Sequence, residues 1–169
     1  SYAWQLGQKA LEKGYDPKTD FASLKHIIIS GEPGGSIEST RKAIEEIWDA
    51  SVYDFFGLSD IYGACAAMCD AKDGLHIIED QILVEVVDPV TGEVLPDGER
   101  GEIVYTTLKK RARPMIRFRS GDIGHVNRET CECGRTMTRI YIQGRKDEMF
   151  IVSAVNVFPS DIEYIVRND

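Results

Sequence analysis

Four short stretches of this chain hold residue types that could grip a small anionic ligand. The first, Ser30-Gly31-Glu32-Pro33-Gly34-Gly35, follows the β-branched run Leu24 to Ile29. Glycine lets a backbone approach a flat ring or a phosphate without interference from a Cβ. The C-terminal edge of a parallel strand is also where open α/β sheets bind ligands. A plain strand-to-helix turn is an equal reading of the same glycines. The second stretch is Tyr53-Asp54-Phe55-Phe56-Gly57-Leu58-Ser59-Asp60. Its aromatic rings beside a glycine turn can form a stacking wall for a base, and Ser59 and Asp60 then follow where phosphate and magnesium could lie. The competing reading puts Phe55 and Phe56 in the core and makes Ser59 a helix cap. In the third, Arg117-Phe118-Arg119-Ser120-Gly121-Asp122-Ile123-Gly124, a carboxylate fixed by a glycine turn can accept hydrogen bonds from both hydroxyls of a ribose. Ser-Gly-Asp is also ordinary hairpin chemistry. The fourth, Gly144-Arg145-Lys146-Asp147-Glu148, joins two strand-like segments and would pass as a charged loop.

Cysteine and histidine offer a second kind of chemistry. Cys131 and Cys133 sit together in a turn that Gly134 allows to bend, and a loop separates Cys69 from His76. Three thiolates and one imidazole make a closed tetrahedral zinc site, structural rather than catalytic. Such a site would tie the loop after Asp60 to the turn before Arg135. Cys65 is an alternative to Cys69 as ligand. A Cys-x-Cys pair is less typical of zinc than Cys-x-x-Cys, and four unconnected cysteines is the competing reading. His26 and His125 are assigned no role.

These segments need elements to position them. Of 169 residues 43% are apolar, enough for a packed core, and the formal charge of −8 argues against a surface that coats nucleic acid. No apolar run approaches the roughly 20 residues of a membrane helix, and Ser1-Tyr2-Ala3-Trp4 shows no signal pattern, so a soluble cytoplasmic protein is expected. The pattern predicts a helix from Tyr2 to Lys13 stopped by Gly14, and a buried parallel strand from Leu24 to Ile29. It then predicts a helix capped by Ser36 and running to Trp48, and a strand from Val52 to Phe56 closed by Gly57. Strand, helix, strand in that order implies a right-handed parallel crossover. From about Ile77 the style changes to short strands and turns, with strands expected at 81–87, 101–108, 114–118, 139–143 and 149–158. The predicted fold class is α/β. A parallel-sheet portion (1–62) precedes a small antiparallel, barrel-like portion (63–143), and residues 144–169 hold a hinge and the start of an α+β C-terminal domain, including a helix over 162–166.

Taken together and in order, the motifs resemble the adenylate-forming ligases, most closely the phenylacetate–coenzyme A ligases. The match runs through Gly31-Glu32-Pro33, Phe56-Gly57-Leu58-Ser59-Asp60, Gly74-Leu75-His76-Ile77-Ile78-Glu79-Asp80 and Asp88-Pro89-Val90-Thr91-Gly92-Glu93. It continues through Leu95 to Glu102, Thr106-Thr107-Leu108, Arg117 to Asp122, Cys131 to Arg135, Gly144 to Asp147 and Val155 to Ser160. The resemblance implies an enzyme that joins a carboxylic acid, aromatic by family default, to AMP from ATP and passes the acyl group to coenzyme A. It implies that Gly31, Glu32 and Pro33 line an adenine pocket. Asp54, Phe55, Phe56, Gly57, Leu58 and Ser59 form the other wall, Asp122 holds the ribose, and Arg145 reaches ribose or phosphate. Asp60 stands where the family places a magnesium-binding Glu, and Asp147 stands at its hinge. Zinc at Cys69, His76, Cys131 and Cys133 fits the family register. The family's phosphate loop and its C-terminal catalytic Lys have no counterpart in these 169 residues, so the expectation is a piece of a longer enzyme that does not turn over alone. Two alternatives remain open at this level: an adenylyltransferase with another acceptor, such as a deazaflavin coenzyme, and a zinc-stabilised nucleotide-binding module without activity.

Overall fold

In the computed structural model, which describes residues 1–152, 155–159, 162, 165 and 166, one mixed sheet of eight strands organises the chain. Helices α1 (Tyr2–Glu12) and α2 (Pro17–Asp20) precede strand β1 (His26–Ser30), α3 (Glu38–Trp48) follows it, and β2 (Ser51–Leu58) lies parallel beside it. The remaining strands are β3 (Tyr62–Met68), β4 (Leu75–Ile77), β5 (Ile82–Val87), β6 (Gly101–Thr107), β7 (Phe118–Asn127) and β8 (Arg139–Arg145). Their order across the sheet is β1-β2-β3-β4-β8-β7-β6-β5. A separate antiparallel pair, β9 (Phe150–Val152) and β10 (Val155–Val157), follows.

The helical end is held by a small apolar cluster of Ile29, Ile44, Trp48, Ala50 and Val52, joined by Ala3, Trp4 and Ile47. Helix α1 needs Gly7 there, because a Cβ would stand 2.5 Å from the Ile47 side chain. Trp48 Nε1 donates to the Ala3 carbonyl at 3.0 Å, so the indole buries without an orphan donor. A larger core under the antiparallel strands contains Cys65, Leu75, Ile77, Ile82, Ile103, Tyr105 and Ile140.

Several expectations change. The antiparallel portion is not a barrel: β5 and β1 end one open sheet, so nothing closes it. Among the described residues strand β1 is an edge rather than a buried strand, with Ile29 buried and Ile28 60% exposed. Helix α3 starts one residue later than expected and Ile37 takes the cap position, because the Ser36 hydroxyl is spent on Asp54. Strand β2 does not stop at Gly57 but runs to Leu58 and pairs back with β3. Glycine is required at 57, where a Cβ would meet the Gly63 carbonyl oxygen at 2.0 Å. Residues 114–117 are not a strand, since Arg113 and Arg117 take left-handed φ angles of 54° and 48° that break an extended run. The single strand expected over 149–158 is two short strands. Of the expected terminal helix, Ile162, Ile165 and Val166 are helical, and the rest lies outside the described residues.

The third motif changes character as well. Ser120-Gly121-Asp122 is no hairpin turn but lies within β7. Opposite β6 the register jumps: Glu102 pairs with Ile123 while Val104 pairs with Arg119. Between these pairs one residue of β6, Ile103, faces three of β7, and the surplus bulges out with Gly121 at φ 84°. A bulge re-aims the side chain it carries, here Asp122.

Candidate functional site

The strand ends converge on a cavity of about 600 Å³. Gly31 and Glu32 reach it from the turn after β1, Asp54 to Leu58 from β2, Asp122 from the β7 bulge, and Ile142 to Arg145 from β8. Ser36, Ile37, Glu38, Leu75, Glu148 and Pro159 complete the lining. Four motifs spread between Gly31 and Arg145 in sequence therefore meet, with β2 and β7 on either side of β3, β4 and β8.

Two buried carboxylates dominate the chemistry. Asp54 is 5% exposed, and Ser36 Oγ donates to it in a short hydrogen bond. Burial pushes its carboxyl up to about 6, with Ser36, the Phe55 N–H and Arg41 pulling the other way. Gly35 has to be glycine, since a Cβ would come within 2.6 Å of the Asp54 side chain. Asp122 is 4% exposed, and burial raises its carboxyl also, against Ser120 and Arg145. Arg145 Nη1 stands 3.7 Å from Asp122 Oδ1, while Asp122 Oδ2 has no hydrogen-bond partner among the described residues. A buried acceptor without a partner costs about 1–3 kcal/mol, so a ligand hydroxyl would offset a standing penalty. Arg145 is steered by Asp147, with Nε to Oδ1 at 2.9 Å and Nη2 to Oδ2 at 3.2 Å. Glu32 accepts from Ser1 Oγ at 2.8 Å.

The structure does not bring every expected residue to the cavity. Ser59 is exposed beyond the end of β2. The Asp60 carboxylate is off the lining and pairs with Arg113 at 3.0 Å, a position that does not fit a magnesium ligand inside the cavity. Phe56 serves both readings given to it: it lines the cavity and stacks on Tyr105 with centroids 6.1 Å apart. Sequence reasoning missed Ser36 as a partner of Asp54, and Leu75, Ile142 and Glu148 as lining. Ser36 reads as a helix cap by spacing alone, and no local signal marks its contact 18 residues away.

The cysteine and histidine set does assemble. One donor atom each from Cys69, His76, Cys131 and Cys133 lies within 4.8 Å of all the others. Cys69 Sγ is 3.8 Å from Cys131 Sγ, and about 3.8 Å is the edge of a tetrahedron with 2.3 Å zinc–sulfur bonds. Cys133 Sγ lies 3.5 Å from His76 Nε2. His76 Nδ1 faces the Met137 carbonyl at 3.3 Å, the kind of contact that fixes a metal-binding tautomer. The backbone N–H of Arg135 holds the Cys133 thiol down at about 6. Cys65 is not in the set: it is buried in the large core, and burial pushes its thiol up to about 12. The donor set thus fits a zinc ion joining the β3–β4 connection to the β7–β8 turn.

No family model matches the chain. Among curated proteins, the phenylacetate–coenzyme A ligase of Thermus thermophilus is 38% identical over 169 residues, aligning 98% of this chain with 37% of its own. That of Pseudomonas putida is 42% identical over 166 residues, covering 96% of this chain and 36% of its own. The chain spans little more than a third of the length of the curated relatives it matches. A solved structure of 2-hydroxyisobutyryl-CoA ligase in the postadenylation state, in complex with R3-HIB-AMP, superposes with a TM-score of 0.91 at 35% identity. It covers 99% of this chain and 36% of that one. Sequence similarity along nearly the whole chain and a superposable backbone agree: this protein belongs to the phenylacetate–coenzyme A ligase family of adenylate-forming enzymes.

Proposed function

We propose that the cavity holds the AMP moiety of an acyl-adenylate, and that the complete protein is an ATP-dependent, AMP-forming ligase of a carboxylic acid and coenzyme A. The observation that carries this reading is the buried Asp122, with one oxygen unpartnered and Arg145 beside the other. A carboxylate so held accepts from the two ribose hydroxyls, and Arg145 contributes positive charge near the sugar or phosphate. The Glu32 turn and the Phe55–Leu58 stretch would sandwich the base, with Asp54 at its edge. In the reaction, an acid oxygen attacks the α-phosphorus of ATP and expels pyrophosphate; the coenzyme A sulfur then attacks the acyl carbon and expels AMP. Fixed donors and cations lower the barrier by stabilising the charge that develops on the phosphoryl oxygens. The names of the curated relatives favour an aromatic acid such as phenylacetate.

Under the same proposal Asp147 is the hinge and residues after it begin a mobile C-terminal domain, the large domain ending near 143. Cys69, His76, Cys131 and Cys133 hold a structural zinc ion, which would bind the sheet together and supply no step of the reaction. The setting is cytoplasmic, in keeping with four free cysteines. Among the described residues no helix is long and apolar enough to cross a membrane. Calorimetry with AMP and an acid-dependent ATP–pyrophosphate exchange assay on the complete enzyme test the reading. Binding of AMP and exchange driven by aryl acids are expected; a folded protein that binds no AMP would overturn it.

A further inference from the structure

The charged residues among those that line the cavity are mostly acidic: Glu32, Glu38, Asp54, Asp122 and Glu148 against Arg145. ATP and coenzyme A are both polyanions built around a diphosphate, and of the chain's cations the described lining holds Arg145 alone. The sequence concentrates them elsewhere. Between residues 103 and 121 there is no Asp or Glu, while Lys109, Lys110, Arg111, Arg113, Arg117 and Arg119 all fall there, in a chain of net charge −8. Arg117 and Arg119 are occupied on β5 and β6 by Glu85 and Glu102, and Lys109 pairs with Asp80.

Lys110 and Arg113 reach the loop that follows β2, with Arg111 between them in sequence. Lys110 Nζ donates to the Asp60 carbonyl at 2.6 Å and the Ile61 carbonyl at 3.1 Å. Arg113 Nη2 meets Asp60 Oδ1 at 3.0 Å with 74% of its side chain exposed. Arg111 is exposed and makes no ion pair among the described residues. Asp60 lies two residues past Leu58, the last lining residue of β2, so the loop is clamped within a few ångströms of the cavity wall. Arg113 holds a left-handed φ of 54°, a conformation with a real cost for a non-glycine residue, and its guanidinium is satisfied only by one partly exposed carboxylate.

We propose that Lys110, Arg111 and Arg113 form a diphosphate-binding edge of the cleft, with Arg113 exchanging Asp60 for the phosphate oxygens of the ligand. A guanidinium fork matches a phosphate in two parallel hydrogen bonds, so the exchange replaces one ion pair by a stronger one. The proposal rests on the AMP reading of the neighbouring cavity, but its test does not.

The test compares the protein with a double variant, Arg111→Gln with Arg113→Asn, Asn being tolerant of the left-handed conformation. Isothermal calorimetry is run with inorganic pyrophosphate, AMP, ATP and coenzyme A. The expected result is an about tenfold rise in the Kd for pyrophosphate with that for AMP unchanged. A parallel loss for ATP alone assigns the edge to the pyrophosphate end of ATP, and a loss for coenzyme A alone assigns it to coenzyme A. The Asp60→Asn variant removes the ion pair while keeping the cations, and should bind pyrophosphate at least as tightly as the unaltered protein. Equal pyrophosphate affinity in protein and double variant, no pyrophosphate binding at all, or the same loss in Asp60→Asn would each overturn the proposal. Failure of AMP alone to bind, with pyrophosphate behaving as expected, would sink the nucleotide reading of the cavity and support the diphosphate edge.

Discussion

Replacing Asp54 by Asn should make the protein more stable at neutral pH and a poorer nucleotide binder. Burial raises the Asp54 carboxyl from 3.8 to about 6, so the folded state holds this proton more tightly than the unfolded chain does. Below about pH 4 the group is protonated in both states and its burial costs nothing. Between pH 4 and 6 the unfolded chain ionises first, and stability falls as pH rises. Above pH 6 the loss is constant. A shift of about two units corresponds to about 3 kcal/mol at 1.36 kcal/mol each. Asn removes the charge, nearly keeps the volume, and its carbonyl oxygen still accepts from Ser36. Urea denaturation at pH 4 and pH 7.5 is the assay, with stabilisation of about 2–3 kcal/mol expected at pH 7.5 and little at pH 4. A chain of this size gains roughly 2–4 °C in Tm per kcal/mol. A variant no more stable at pH 7.5, or equally stabilised at both pH values, would refute the reasoning. The same variant should weaken AMP binding, since a buried charge kept at a stability cost marks a functional site.

Further outcomes follow from the same geometry. The purified protein should carry about one zinc per chain by elemental analysis, and Cys131→Ser should lose it together with several degrees of Tm, whereas Cys65→Ala should retain the metal. Gly144→Ala would put a Cβ 2.4 Å from the Phe158 ring. It should cost about 1–3 kcal/mol by overpacking and expose Phe158, which is fully buried, to faster hydrogen exchange of its neighbours. Gly57→Ala would drive a Cβ to 2.0 Å from the Gly63 carbonyl and should destabilise by at least as much, read by chemical denaturation, because the clash is with backbone that cannot rotate away.

Much of the site was legible because its residues are compact motifs at strand ends: the Glu32 turn, Phe56-Gly57, Asp122 and Arg145 all reach one cavity. The cysteine set was legible from residue type and the family resemblance, which favoured Cys69 over Cys65. Those two residues lie four apart, and Cys65 points into the core while Cys69 follows the strand's end. What stayed hidden depends on contacts distant in sequence. Ser36 looks like a cap until Asp54 comes beside it, and Asp122 looks like a turn residue until β6 pairs on both sides of the bulge. Closure was misjudged for a related reason. Short antiparallel strands are common to barrels and open sheets, and only the pairing of β4 with β8 reveals that the sheet extends from β2 rather than curling on itself.

The sharpest measurement is calorimetric titration of AMP and 2′,3′-dideoxy-AMP into the protein and its Asp122→Ala variant. If the unpartnered Asp122 oxygen receives the sugar, the unaltered protein should prefer AMP by about tenfold or more, and the variant should bind both nucleotides alike. A preference that survives the substitution, or no affinity for either nucleotide, would contradict a ribose held at the β7 bulge.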